Sequence, residues 1–391
     1  MKIAVSAPTG FNTRELLLPL APLLKNDPVI SHVQVLTPAA DYLRSRLNSL
    51  GDKFSYHQTP SDQTGHDKLL NQLQPDIVVT PTIGLDSSDL PIIRAAHRHN
   101  IPSCAFIASW DNVYKIERLI KYGREYALPD HLAVWNSMMR DHALRLFSQY
   151  REKIDIIGVP RFDFFYHNHL IPDRQQFLTS LSLKPDQKLI HCATTELYPF
   201  GYIIQSIKQA VSRRQLPGNT SIYASVHPGG DISRHLFYRQ YGAKVEYSFG
   251  RRSDSPSPHF HYLPTYEEIY RHVALFKHSA ILINQSSTVA IESMLADVPV
   301  VNVKYGRRFD WWRWYRSMVY RDFRQHYRDI ISSGGTTVVN NEKQLILAMQ
   351  KYLTDPAFKQ NTRLATIKKL ITYTDGQSSQ RLINLLKRVS S

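Results

Sequence analysis

Apolar positions along this chain follow two rhythms. Short runs rich in Val, Ile and Leu alternate with longer stretches whose apolar residues recur every three or four positions. The first pattern marks buried strands and the second marks helices with one covered face. Strands are predicted at 2–6, 33–36, 77–80, 102–108, 131–136 and 154–158, with helices at 15–24 and 91–99 and a loop at 8–14. Residues 160–185 are polar, carry Pro172-Asp173 and Lys184-Pro185-Asp186, and read as a linker. A second alternation follows, with strands at 189–193, 221–226, 260–263, 280–283 and 299–303 and helices at 202–215, 266–278, 289–295, 342–353 and 377–389. Strands alternating with helices predict parallel sheets covered on both faces, with ligands gathered at the carboxyl ends of the strands. The expected architecture is α/β. Residues 1–170 form one Rossmann-like domain and 185–376 another, facing each other across a cleft, with helix 377–391 packing back on the first.

The stretch 281–306 organises the second half. It reads as strand, polar turn, helix, strand. Ser286, Ser287 and Thr288 crowd hydroxyls where the helix starts. Unpaired N–H groups and the positive dipole end make such a start a site for a phosphate or diphosphate. Glu292, one turn further in, can accept both hydroxyls of a ribose. The same residues also suit a well-capped helix that binds nothing. His227 stands at the end of a predicted strand, where an imidazole can bond or protonate a phosphate oxygen, and Gly229 lets a ligand approach the backbone. A lone histidine is more often structural.

In the first half, Ser109-Trp110-Asp111-Asn112 follows a strand end. Asp111 there suits a general base that takes a proton from an acceptor hydroxyl. The alternative has Asp111 capping the next helix and Trp110 in the core. Gly10, Asn12 and Arg14 in the first loop face the same edge, and Arg14 suits a phosphate or an acceptor. Arg161 either lines the cleft or makes a hinge contact.

At 391 residues the chain has room for two or three domains. It lacks an apolar run long enough to span a bilayer, and its start lacks a signal-like hydrophobic region. Cys104 and Cys192 fall in predicted buried strands and fit a reducing cytoplasm. A formal net charge of +15 favours a polyanionic partner. Residues 304–328 hold eight Lys/Arg against two Asp, and three of the five Trp. On one continuous helix, Arg313, Arg316, Arg321, Arg324 and Arg328 fall opposite Trp311, Trp312, Tyr315, Val319 and Phe323. That arrangement suits an anionic membrane surface, or equally an aromatic face packed inward behind a solvated basic one. No nucleic-acid module accompanies the charge. No metal-binding pattern occurs, so no metal and no cofactor are expected beyond a nucleotide-sugar co-substrate. G-x-G-x-x-G is also absent.

Assembled, Ser109–Asn112, Val134-Trp135-Asn136 and the G-x-P-R-F-D run 158–163 resemble bacterial glycosyltransferases of the two-domain B type (GT-B) that build surface polysaccharides. The chain is more distantly similar to the CDP-glycerol glycerophosphotransferases of teichoic-acid synthesis. Their H-P turn and Ser/Ser/Thr-then-Glu pattern match His227-Pro228, 286–288 and Glu292, and Asp111 stands where they carry a histidine base. The resemblance implies a metal-independent, inverting transferase. It would move a sugar from a nucleotide-sugar to a lipid-linked or polysaccharide acceptor, at the cytoplasmic face of the membrane. Asp111 and His227 would be catalytic. Ser286, Ser287, Thr288, Glu292 and Gly229 would hold the donor, and Gly10, Asn12, Arg14, Trp110, Asn112 and Arg161 would line the acceptor side. A non-hydrolysing UDP-sugar 2-epimerase and a glycerophosphotransferase-like polymerase are same-fold alternatives, and a nucleic-acid-binding protein is one from another class.

Overall fold

The computed structural model describes residues 1–83, 89–110, 112–248, 251, 254–325 and 327–391. The chain divides into two compact units. One comprises Met1–Tyr166, Arg252–Leu263 and Ile371–Ser391; the other comprises His167–Arg251 and Pro264–Leu370.

The first unit holds seven strands: β1 (Lys2–Ser6), β2 (His32–Thr37), β3 (Phe54–Gln58), β4 (Ile77–Thr80), β5 (Ser103–Phe106), β6 (His131–Val134) and β7 (Ile154–Ile156). They form one parallel sheet in the order β3-β2-β1-β4-β5-β6-β7. Ile3, Ala4, Val5, Ile77, Val78 and Val79 are fully buried, as expected of central strands with helices on both faces. Strand order reverses between β1 and β4, which opens a crevice at their carboxyl ends. Buried Asp89 spans that point, accepting from Ser6 Oγ at 2.8 Å and Thr82 Oγ1 at 2.6 Å.

The second unit repeats the plan with β8 (Lys188–Ala193), β9 (Thr220–Val226), β10 (Ala243–Tyr247), β11 (Ile281–Asn284), β12 (Val300–Val303) and β13 (Thr337–Val339). These six parallel strands run β10-β9-β8-β11-β12-β13. Here the order reverses between β8 and β11. The helix Tyr266–His278 begins on a reciprocal cap: Glu268 N–H donates to Thr265 Oγ1 at 3.2 Å, and Thr265 N–H donates to Glu268 Oε2 at 2.9 Å.

Four expectations change. The first helix starts at Gly10, not at residue 15, so Asn12 and Arg14 are helical. It passes through a π turn in which Leu18 N–H donates to Thr13 C=O, five residues back. Pro19 and Pro22 lack the N–H groups that a regular ladder would use there. Residues 160–185 are not a polar linker. Pro160–Tyr166 forms 3₁₀ turns with residues 160–165 buried, and Arg174–Ser180 is a helix. Residues 260–263 are not a strand; Pro258–Phe260 is a 3₁₀ turn in the first unit, with Phe260 buried. Residues 304–328 do not make one helix. Trp311–Arg316 stops and Met318–Asp322 restarts, because Ser317 is extended and its Oγ accepts from Tyr320 N–H at 3.1 Å. Among the described residues no helix is long and apolar enough to cross a membrane.

Candidate functional site

In the second unit the reversal point is occupied by the loop after β11. Beneath it lies a polar cluster inside the core. Asn302, on β12, donates through Nδ2 to Asn284 Oδ1, to Tyr327 Oη at 2.8 Å and to Gln285 C=O at 3.3 Å. Asn284 Nδ2 in turn donates to Ser287 C=O at 3.0 Å. Asn284, Asn302 and Tyr327 are fully buried, and burial pushes the Tyr327 phenol well above its ordinary range, so it stays neutral. This cluster holds the loop from below at two carbonyls. Ser286, Ser287, Thr288 and Val289 remain half-buried above it.

Thr288 is the last residue before the helix Val289–Leu295, and no side chain caps it. The N–H groups of Ser287 and Thr288 make no hydrogen bond among the described residues, and Val289 N–H has only Ser287 Oγ at 3.5 Å. Successive unpaired N–H groups in a turn form a concavity for an anion. Ser286 Oγ donates to Asp322 Oδ2 at 3.4 Å, so its hydroxyl already has a protein partner. Glu292 is only 5% exposed, with Oε1 4.0 Å from His272 Nε2. Its carboxylate is thus enclosed between its own helix and Tyr266–His278.

The neighbouring strand ends contribute the rest. His227, past β9, is exposed, and its Nδ1 accepts from Gly229 N–H at 3.0 Å. That bond leaves Nε2 as the donor of a neutral ring. Gly229 is exposed beside it. Past β8, Glu196 accepts from Asp231 N–H at 2.6 Å and ties the two loops together. Deeper in the sheet, His191 Nε2 shares a 2.7 Å hydrogen bond with Ser225 Oγ, and its Nδ1 finds no partner among the described residues. Burial, helped by the nearby His272, pushes the His191 imidazole down to about 3.

In the first unit the candidates separate into different surroundings. Asp111 lies outside the described residues. Trp110 is core, 1% exposed and 6.3 Å from the Trp135 ring. Asn112 is buried and accepts from Lys115 Nζ at 3.3 Å. Asn12 is buried against Thr9, accepting its hydroxyl proton at 2.6 Å. Gly10 allows a close approach: a Cβ there would stand 3.1 Å from the backbone nitrogen of Leu263. Arg14 donates to Glu15 Oε1 through Nε at 2.8 Å, and its guanidinium lies 5.6 Å from the Phe11 ring centre. Arg161 is buried, paired with Glu15 Oε2 at 2.7 Å and stacked 4.3 Å from the Phe162 ring centre. Arg14 and Arg161 therefore clamp one fully buried carboxylate.

Sequence reading missed Asn302, Tyr327, His272 and Glu15. Asn302 carried a signal: a lone Asn inside Pro299-Val300-Val301-Asn302-Val303 is a polar side chain in a strand buried on both faces. Among the described residues, no group of three His, Cys, Asp or Glu side chains gathers to hold a metal.

Comparison with known proteins agrees with this layout. Residues 247–388 match the family model described as CDP-Glycerol:Poly(glycerophosphate) glycerophosphotransferase. No curated protein matches by sequence. Among solved structures, a UDP-GlcNAc 2-epimerase from Neisseria meningitidis bound to UDP-GlcNAc aligns over 99% of this chain and 100% of its own, with TM-score 0.64 and 13% identity. The wall teichoic acid polymerase TagF, soaked with CDPG, aligns over 100% of this chain and 88% of its own, with TM-score 0.61 and 13% identity. A glycosyltransferase from Rickettsia africae aligns over 99% and 98%, with TM-score 0.57 and 13% identity. Two parallel-sheet units, a glycerophosphotransferase pattern across most of the second, and these structural neighbours make the fold GT-B and the chain a distant relative of the GT-B transferases.

Proposed function

We propose that this protein is a metal-independent glycosyltransferase that takes a sugar from a nucleotide-sugar and adds it, with inversion, to a lipid-linked or polysaccharide acceptor of the cell surface. The observation that carries this reading is the loop 286–288. It sits at the strand-order reversal, is braced from below by Asn284 and Asn302, and offers N–H groups that the described protein leaves unpaired. A diphosphate fits that chemistry. His227 adds an imidazole donor and Gly229 an open backbone. Glu292 is the proposed ribose contact. In the first unit, Asp111 takes the proton of the acceptor hydroxyl as its oxygen bonds to the anomeric carbon and the sugar–phosphate bond breaks. The negative charge then grows on the leaving nucleotide diphosphate, where the N–H groups and His227 stabilise it. The reading places the enzyme at the inner face of the cytoplasmic membrane.

The family match over 247–388 favours a second reading, in which the donor is a CDP-polyol and phosphorus is the centre attacked. A thermal-shift screen of UDP-, GDP- and CDP-linked compounds on wild type and Glu292→Gln separates the two. A ligand that binds only the folded state raises its stability by mass action. A UDP- or GDP-sugar shift reduced in Glu292→Gln supports sugar transfer, and a shift confined to CDP compounds supports the second reading. No shift with any nucleotide overturns both. Incubating a responding UDP-sugar alone and finding its epimer would replace transfer by epimerisation.

A further inference from the structure

The break at Ser317 rearranges the basic aromatic segment in a way that a single helix does not. Trp314, Val319 and Phe323 turn inward and are 5%, 0% and 2% exposed. The Trp314 ring packs 5.1 Å from Tyr198, and Gly306 makes room for it: a Cβ on Gly306 would lie 2.6 Å from Trp314 Cβ. Pinned by this seam, the segment presents Phe309, Trp311, Trp312, Tyr315 and Met318 to solvent, at 84%, 68%, 50%, 56% and 47% exposure. Arg307, Arg308, Arg313, Arg316, Arg321 and Arg324 are exposed around them. The expectation of aromatic and basic residues on opposite sides is thus corrected, because both share the outer surface. The segment's two acids withdraw from it. Asp310 is largely buried and 3.6 Å from Arg313, and Asp322 is buried under the loop at 286. Phe309 adopts a left-handed backbone (φ 65°), which a bulky residue rarely adopts, while its ring is the most exposed of the five. Strain held without any compensating contact in the protein points to a partner outside it.

We infer that the surface of residues 307–324 docks on an anionic lipid bilayer, with the rings at the level of the headgroups and the arginines on lipid phosphates. Tryptophan and tyrosine favour that interface for their amphipathic rings, and guanidinium groups are drawn to anionic headgroups. Trp312, Arg313 and Arg316 also line a pocket of about 470 Å³ with Tyr198, Phe237 and Tyr238, which gives a headgroup room beside the rings. Arg316 makes no hydrogen bond or ion pair among the described residues, so its charge is available to a phosphate. The inference rests on the transferase reading only for the membrane-bound acceptor it implies; lipid binding itself needs no donor.

The test is co-sedimentation of the full chain with phosphatidylcholine vesicles, with or without about a third phosphatidylglycerol, at physiological salt. Binding to the anionic vesicles alone is expected. Each arginine removed lowers the partition about fivefold, so Arg313→Ala with Arg316→Ala together weaken it about 25-fold. Lipid also shifts tryptophan emission to the blue, and Trp311→Ser with Trp312→Ser abolishes that shift, because Trp110, Trp135 and Trp314 are already buried. An unchanged nucleotide thermal shift shows that the variants are folded, and it separates failure here from failure of the donor site. Equal partition of wild type and the arginine variant overturns the proposal. So does binding to neutral vesicles alone, competition by millimolar inorganic phosphate, or retention of an oligonucleotide in place of lipid.

Discussion

Replacing Asn302 by alanine tests whether the polar cluster under the loop 286–288 is what shapes it. One amide group supplies two N–H bonds to three acceptors: Asn284 Oδ1, Tyr327 Oη at 2.8 Å and Gln285 C=O at 3.3 Å. The first two are the shorter, and the third shares a proton. Each well-formed bond contributes about 1 kcal/mol, and each buried acceptor left alone costs about 1–3 kcal/mol more. With Asn284 and Tyr327 fully buried and closed to water, Asn302→Ala should cost about 3–5 kcal/mol. Tyr327→Phe removes one partner and should cost about 1 kcal/mol. The double variant should fall short of the sum, since both changes break the same bond. Because the chain has two units, global unfolding mixes their contributions. Hydrogen exchange read on peptides covering β11 and β12 isolates the second unit. The loop also loses a brace on the Gln285 carbonyl, so nucleotide binding should weaken at least tenfold. Protection of β11 and β12 that changes by less than about 0.5 kcal/mol in Asn302→Ala would refute the reasoning.

Two further outcomes follow from buried charges. His191 is held neutral by burial down to about 3, whereas in the unfolded chain it titrates near its ordinary value. The unfolded state therefore binds the extra proton. The stability is fully present above about pH 6.5 and declines as pH falls toward 3, by up to about 1.4 kcal/mol per pH unit. Exchange protection of β8 measured from pH 7 to pH 4 should fall less steeply in His191→Gln, and an identical slope would show that this histidine is not the group responsible. Glu15 neutralises buried Arg161, so Glu15→Gln should cost the first unit about 3–5 kcal/mol in urea unfolding. Glu15→Leu with Arg161→Leu should recover most of it, and a single variant as stable as wild type would refute the clamp.

The central strands were legible because each is a short β-branched run buried on both faces, so burial and sequence carry the same message. The edge strands β3 and β10 were not. Phe54–Gln58 and Ala243–Tyr247 are half polar and covered on fewer sides, and nothing local distinguishes them from loops. Pro160-Arg161-Phe162-Asp163-Phe164-Phe165 misled for the opposite reason. Its charges are neutralised by distant partners: Arg161 by Glu15, and Asp163 by the N–H groups of Ser378 at 3.0 Å and Ser379 at 2.7 Å. At the site, the hydroxyl-rich start at 286–288 was readable from composition. That Arg14 and Arg161 would meet on one carboxylate was not, because Glu15 and Arg161 are far apart in the chain and are joined only by the fold. Ser317 shows the same limit on a smaller scale, where one cap residue outweighs eighteen residues of helical periodicity.

The helix Ser378–Val389 has a consequence for how the protein is made. It packs on Leu18–Asn26 and on 160–166, buries Leu382, Ile383, Leu385 and Leu386, and is stitched down through Lys387 to Asp27 and through Arg388 to Asp155. A chain growing from its first residue exposes β1 to β7 early, yet the piece that seals them is among the last to leave the ribosome. Every strand of the other unit emerges before that seal. The half that begins the polypeptide is therefore the half that finishes maturing last, and throughout elongation its unsealed flank is the natural target for a chaperone.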